Sequence, residues 1–376
     1  MPLSGLTAAF LANPRLERPR AYGAQERAIL SLAAGRDAME AIAAWPEYEP
    51  TRLRRLARMA EEAGVAELLY KDEGLRFGLK SFKALGGAYA VERLAGEAAG
   101  RDLTVTCATD GNHGRAVAWG AARAGVRAVI YIHDGVSPGR ADAIAALGAE
   151  VVRAGRTYDD SVRLCAEAAR ANGWQIVSDT SWPGYEDVPR TVMQGYAVMI
   201  AEALAQDARP THVFVQGGVG GLAAGVLSWL WEELGPKRPV LVVVEPDNVA
   251  CLFESAKAGA VRTVGGDLDT IMAGLACGEP SLLAWRILAV GADAFMHIPD
   301  EAAAQTMRDL SDLRVVGGES GVAGLAGFRL AAADASIREA LRLDRHSRVL
   351  CFGTEGATDP DVYARIVGRT PQDVAG

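Results

Sequence analysis

The chain has 376 residues, half of them hydrophobic, more than one simple core holds, so two domains sharing a cleft are expected. Its formal net charge is -8 and its lysines and arginines are scattered, which argues against a nucleic-acid partner. No apolar run reaches the roughly 18 residues of a spanning helix, and the short stretch Leu6–Ala12 lacks the basic lead-in of a signal peptide, so a soluble cytoplasmic protein without membrane contact is expected.

In chain order, the first ~50 residues contain one helical stretch, around Gln25–Ala34. Leu103–Ala108 reads as a strand, followed by Gly111-Asn112-His113-Gly114 and an Ala-rich helix to Gly125. Arg127–Ile132 is a strand, Pro138–Leu147 a helix, Glu150–Arg153 a strand, Asp159–Asn172 a helix and Gln175–Ser178 a strand. A helix spans Val192–Leu204, and His212–Gln216 is a strand before a Gly-rich turn and a helix through Trp231. Val240–Glu245 is a strand, Val249–Ala258 a helix, and Val349–Phe352 the last strand. This alternation predicts an α/β fold with mostly parallel sheets flanked by helices. The expected division is a larger domain of residues 1–90 and 188–376 and a smaller one of 91–187, with Pro183–Pro189 as hinge. Ligands in such folds sit where strands end and helices begin, and the Gly-rich motifs fall there.

Five cysteines form no CxxC, and five histidines have no paired spacing, so no metal site is signalled. Cys107 and Cys351 lie in apolar strands and read as core. Cys251 and Cys277 are expected as reduced thiols rather than a disulfide.

Four segments carry chemistry. In Leu79-Lys80-Ser81-Phe82-Lys83-Ala84-Leu85-Gly86-Gly87, Lys83 precedes an apolar helical stretch, so its stem enters the interior. A buried lysine amine is suited to a Schiff base. Lys80 is the competing candidate. In Thr109-Asp110-Gly111-Asn112-His113-Gly114, Asn112 offers an N–H to a phenolate oxygen, while a helix cap is the equally matched alternative. His113 reads as structural. Gln216-Gly217-Gly218-Val219-Gly220-Gly221 frees backbone N–H groups to wrap a phosphate at a helix start. A dinucleotide fits less well: its third glycine is replaced by Ala223, although Glu245 ends the next strand, where a ribose-binding acid would stand. Gly353-Thr354-Glu355-Gly356-Ala357-Thr358-Asp359-Pro360 offers a hydroxyl for a pyridine nitrogen, or a plain polar turn. Each piece is weak alone. Lysine, amide, cradle and hydroxyl in this order supply one contact for each part of pyridoxal 5′-phosphate.

From about Glu49 to Val367 the sequence resembles the fold-type II pyridoxal-phosphate enzymes, and within them the 2,3-diaminopropionate ammonia-lyase family. The resemblance rests on Tyr70–Leu79 with Phe82–Gly87, Ala108–Arg115, Asp179-Thr180-Ser181-Trp182 with Gly184-Tyr185, and Met193–Tyr196. It continues through Gln216–Gly221, Gly274–Glu279, Gly318–Gly321, Thr354–Gly356 and Thr358–Pro360. It implies that Lys83 carries the cofactor's Schiff base and that Asn112 contacts its ring oxygen. By the same likeness Gly217, Gly218, Val219, Gly220 and Gly221 bind its phosphate, and Thr354, rather than Thr358, meets the ring nitrogen. Asp110 and Asp179 lie on the substrate side. Lys83 and Asp110 serve as bases on opposite faces, for L and D substrates. A homodimer is implied, with a small amino acid as its only other partner. The chain departs from the family at Lys80, where a small or amide residue is usual. A cation there would depress the pKa of Lys83 or bind a substrate carboxylate. A dehydratase or lyase of serine, threonine or 3-hydroxyaspartate is the alternative reading.

Overall fold

The computed structural model describes Leu3, residues 5–109 and residues 111–376, so Asp110 lies outside the described residues. In chain order its strands are β1 (Ala9–Ala12), β2 (Arg52–Arg55), β3 (Glu67–Asp72), β4 (Thr104–Ala108), β5 (Arg127–Ile132) and β6 (Glu150–Arg153). They continue as β7 (Gln175–Ile176), β8 (His212–Gln216), β9 (Val240–Pro246), β10 (Ala294–Ile298) and β11 (Arg348–Gly353). Seven form one sheet in the order β1-β10-β9-β8-β11-β3-β2, and four form a second in the order β6-β5-β4-β7. The second sheet is parallel throughout; in the first, β1 and β2 are antiparallel edges on a parallel centre.

The middles of the central strands β8, β9 and β11 are apolar because both faces are covered. Alternate residues enter opposite cores: Val213, Val215, Leu350 and Phe352 pack on one side, and Phe214, Val349 and Cys351 on the other. The first of these cores runs on without a break to Val105, Cys107, Ile130 and Ile132 of the smaller sheet. The two sheets are thus joined by shared apolar packing as well as by chain crossings.

Several elements depart from expectation. The helix expected at Val192–Leu204 is two, Asp187–Tyr196 and Val198–Ala205, meeting at Ala197. Pro189 sits in the first turn of the former, where its missing N–H has no intrahelical partner to lose. The stretch at Gln25–Ala34 divides into Ala24–Arg27 and Leu32–Ala43, because Ser31 caps the second helix by accepting the Ala34 N–H at 3.1 Å. No disulfide joins Cys251 and Cys277. No described helix is long and apolar enough to cross a membrane.

Behind the lysine-bearing loop lies a cluster of two cations and two anions with essentially no solvent exposure. Arg76 donates to Glu73 at 2.7 and 2.9 Å and to both oxygens of Glu202 at 2.8 Å. Lys71 Nζ lies 2.6 Å from Glu202, and Thr51 Oγ1 donates to Glu73 at 2.5 Å. Charges this deep are tolerated only when fully paired. The cluster ties β3 to the Arg76–Gly78 turn, which enters the left-handed region at Phe77 (φ 51°). Removing one partner strands the others. Glu202→Ala is therefore expected to lose roughly 3–5 kcal/mol by urea unfolding. Arg163→Ala, which breaks an exposed 2.9 Å pair with Glu167, is expected to lose less than about 1 kcal/mol. Equal losses would mean that the cluster is not what fixes this loop.

Candidate active site

One pocket lies between the C-terminal ends of the strands and the starts of the following helices. Lys83, Asn112, Asp179, Gly217, Gly218, Val219, Gly221 and Thr354 border it, with Thr358. Gly220 stands just behind, as the N-terminal cap of the Gly221–Leu234 helix. Asp110 lies outside the described residues, but its neighbours Thr109 and Gly111 border the pocket.

Lys83 occupies the residue before the Ala84–Ala98 helix. Its approach is held by main-chain pairing: Phe82 N–H donates to Thr354 O at 3.0 Å and Gly356 N–H to Lys80 O at 2.9 Å, an antiparallel bridge centred on Ser81 and Glu355. The helix start is pressed against Asp187–Tyr196 so closely that a Cβ on Gly195 would fall 1.9 Å from Leu85 O. That approach brings Tyr196 to the lysine, whose Nζ lies 5.6 Å from the Tyr196 ring centre and 5.3 Å from that of Phe82.

Lys83 Nζ is 2.5 Å from Asp179 Oδ2, and both side chains are 18% exposed. Burial by itself would lower the lysine's pKa, but the Asp179 carboxylate more than offsets it and the net shift is upward. Burial likewise pushes Asp179 up, and the Lys83 ammonium overrides it to leave the acid well below the usual carboxylate range. This corrects the expectation that Lys80 depresses Lys83. Lys80 adopts φ 58°, donates to Ala357 O at 3.3 Å and does not border the pocket.

Asn112 does not cap its helix. It is the first residue of Asn112–Ala124, which follows Gly111, and its Nδ2 donates to Glu355 Oε2. The turn is closed instead by Thr109 Oγ1, which accepts the N–H groups of Gly111 at 3.0 Å and Gly114 at 3.1 Å. His113 Nε2 donates to Val177 O at 2.8 Å, fastening the helix to the end of the smaller sheet. Burial lowers its pKa and so favours the neutral ring.

The cradle follows β8. Gly218 (φ 59°) and Gly220 (φ 94°) take backbone conformations that L side chains rarely adopt, turning the loop into the helix start. The first N–H groups of that helix have no intrahelical acceptor and suit an anion. Gln216, just before the cradle, donates through the two hydrogens of Nε2 to Phe352 O at 2.7 Å and Gly321 O at 2.6 Å, and Thr354 Oγ1 at 3.2 Å shares one of them. Glu245 does not face a ribose: it is fully buried and accepts the Leu252 and Phe253 N–H groups at 2.9 and 2.8 Å. Burial pushes its pKa up to about 8. The carboxyl thus caps the Cys251–Ala258 helix, and the dinucleotide reading loses its acid.

The donor set fits pyridoxal phosphate: an amine, an amide N–H, a hydroxyl and a glycine cradle at a helix start surround one pocket. The model of the "Pyridoxal-phosphate dependent enzyme" family matches residues 44–354. Diaminopropionate ammonia-lyase of Escherichia coli (strain K12) is 42% identical over 356 residues, covering 87% of this chain and 89% of that protein. The chain belongs to the diaminopropionate ammonia-lyase family. The holo crystal structure of the Escherichia coli ammonia lyase superposes with a TM-score of 0.90 at 37% identity, covering 96% of this chain and 97% of that one. A second structure of that enzyme, in complex with an aminoacrylate-PLP azomethine reaction intermediate, matches at TM-score 0.89 and 38% identity, with the same coverage.

In this member of the family, sequence reading did not single out three side chains that shape the site: the Gln216 amide, Glu355 and the Tyr196 phenol. The first two act across 105 to 243 residues of sequence, and nothing local marks such partners. Removing the Asp179 carboxylate leaves burial unopposed at Lys83. Asp179→Asn is expected to lower the pKa of Lys83, read from the pH profile of trinitrobenzenesulfonate labelling of Lys83 in cofactor-free protein. An unchanged profile would mean that Asp179 does not hold the ammonium.

Proposed function

We propose that this chain is a pyridoxal 5′-phosphate-dependent carbon–nitrogen lyase that converts D- and L-2,3-diaminopropionate and water to pyruvate and two molecules of ammonia. The observation that carries this reading is Lys83 Nζ, 2.5 Å from Asp179, in a pocket whose other walls are Asn112, Thr354 and the glycine cradle. The substrate class follows from family membership.

Lys83 holds the cofactor, with Gly217, Gly218, Val219, Gly220 and Gly221 around its phosphate. The Thr354 hydroxyl oxygen accepts from Gln216, which leaves its proton to donate to an unprotonated pyridine nitrogen. Bound pyridoxal phosphate supplies a conjugated sink for the charge left at the substrate α-carbon when its proton is removed. Lys83 Nζ, once neutral, takes that proton on its own face, as an L substrate requires. Asp110 takes it on the opposite face, as a D substrate requires. The Asp179 carboxylate pairs with the Lys83 ammonium in the cofactor-free site and, with substrate bound, steadies the β-ammonium before ammonia leaves. General bases of this kind act only within hydrogen-bond reach of the proton they remove.

Residues 1–90 with 188–376, and 91–187, are proposed as the two domains facing each other across the pocket. The enzyme is proposed to be a cytoplasmic homodimer. With added cofactor, the purified protein is expected to release pyruvate from both enantiomers well above its rate with serine, threonine or 3-hydroxyaspartate. Preference for one of those three would replace the proposed substrate. Lys83→Ala is expected to abolish both activities. Asp110→Asn is expected to lose most activity toward the D enantiomer while retaining more toward L. Equal loss would remove Asp110 as a face-specific base.

A further inference from the structure

We propose that Glu355 is a positioning residue for the cofactor: it takes one N–H of the Asn112 amide and so aims the other at the ring oxygen. The inference rests on Asn112 being the ring-oxygen donor.

Glu355 is held from several sides. Its main chain pairs with Ser81, its carbonyl accepts the Gly318 N–H at 2.9 Å, and its Oε1 accepts the Ser320 N–H at 2.9 Å. Glycines let the strands of this knot approach: a Cβ on Gly318 or Gly321 would stand 2.9 or 3.1 Å from Glu355 Cγ. The remaining oxygen, Oε2, meets Asn112 Nδ2. A carboxylate accepts and never donates, so the nitrogen end of the amide must face it; the reversed amide would set Oδ1 against the acid. The amide nitrogen carries two hydrogens. With one spent on Glu355, the planar amide fixes the direction of the other, and Asn112 borders the pocket.

The neighbouring Glu319 carboxyl supports this division of labour. Glu319 is 3% exposed, borders the same pocket, and its Oε1 has no hydrogen-bond partner. Burial, and then the negative charge of Glu355, push its pKa up to about 7. Of the two acids, Glu355 is the one bonded to Asn112, and burial favours the protonated form of Glu319.

Glu355→Gln conserves shape but replaces an obligate acceptor by an amide that accepts or donates, so Asn112 loses its compulsory orientation. The test compares wild type, E355Q, N112A and the double variant. Two quantities are read: the dissociation constant for pyridoxal 5′-phosphate, by equilibrium dialysis, and the pH titration of the bound cofactor's absorption spectrum. E355Q is expected to weaken binding roughly tenfold, the scale of one charge-assisted hydrogen bond. It should also displace the spectral titration in the same direction as N112A. The double variant should be no worse than N112A alone. A normal E355Q beside a displaced N112A would overturn the role of Glu355 and keep that of Asn112. Additive losses would also overturn it. A normal N112A would instead remove the reading on which the inference rests. Should E355Q not fold, Glu355→Asp, one methylene shorter, takes its place. It should weaken binding in the wild-type background but not with Asn112→Ser, and equal weakening in both would overturn the proposal.

Discussion

Two main-chain hydrogen bonds, Phe82 N–H to Thr354 O at 3.0 Å and Gly356 N–H to Lys80 O at 2.9 Å, join the turn before Lys83 to the segment leaving β11. Because β11 lies between β8 and β3 in the large sheet, that segment emerges at the sheet's centre. From it Thr354 meets Gln216 at the root of the cradle, and Glu355 meets Asn112 at the edge of the smaller sheet's first helix. A displacement of residues 354–356 would move the Lys83 turn, Asn112 and Gln216 together. The amide, the hydroxyl and the lysine therefore share one reference frame.

Rigidity in this frame comes from polar burial made affordable by complete pairing. The ions of Lys71, Glu73, Arg76 and Glu202 are all buried, and such a cluster adds little net stability over apolar packing but strongly penalises any other arrangement. It forces the Arg76–Gly78 turn into one geometry. The Lys83–Asp179 pair is partly exposed and differs in kind. It lies in the pocket and is balanced so that burial and charge oppose each other on both groups. One ion cluster holds the backbone; the other ion pair borders the pocket.

Much of this was legible because it is local. The strands at Arg127–Ile132, Glu150–Arg153 and His212–Gln216 are marked by unbroken apolar runs between turn residues. The lysine, asparagine and glycine segments sit at strand ends, where such a fold places ligands. The edge strand Arg52-Leu53-Arg54-Arg55 escaped because three of its four residues are charged, and β1 because it is four residues long. β3 carries Lys71 and Asp72 inside the protein, so its polarity hides its burial. Lys80 looked like an active-site cation from its place in the sequence, three residues before Lys83. A single positive φ turns it toward Ala357 instead, and no pattern of residue types encodes that turn. Glu355 read as part of a polar turn, since its partner Asn112 lies 243 residues away.

The central place of β11 also has a consequence in time. It is the last strand in the chain, yet it fills the gap between β8 and β3. Until β11 is made, the large sheet lacks the strand that separates β8 from β3. Contacts this distant in sequence are slow to form, and domains complete as units. The bonds of Phe82 to Thr354, of Gly356 to Lys80 and of Asn112 to Glu355 can therefore form only once residues 354–356 have been added. A chain that stopped short of β11 would lack the strand that carries Thr354 and Glu355 to their partners.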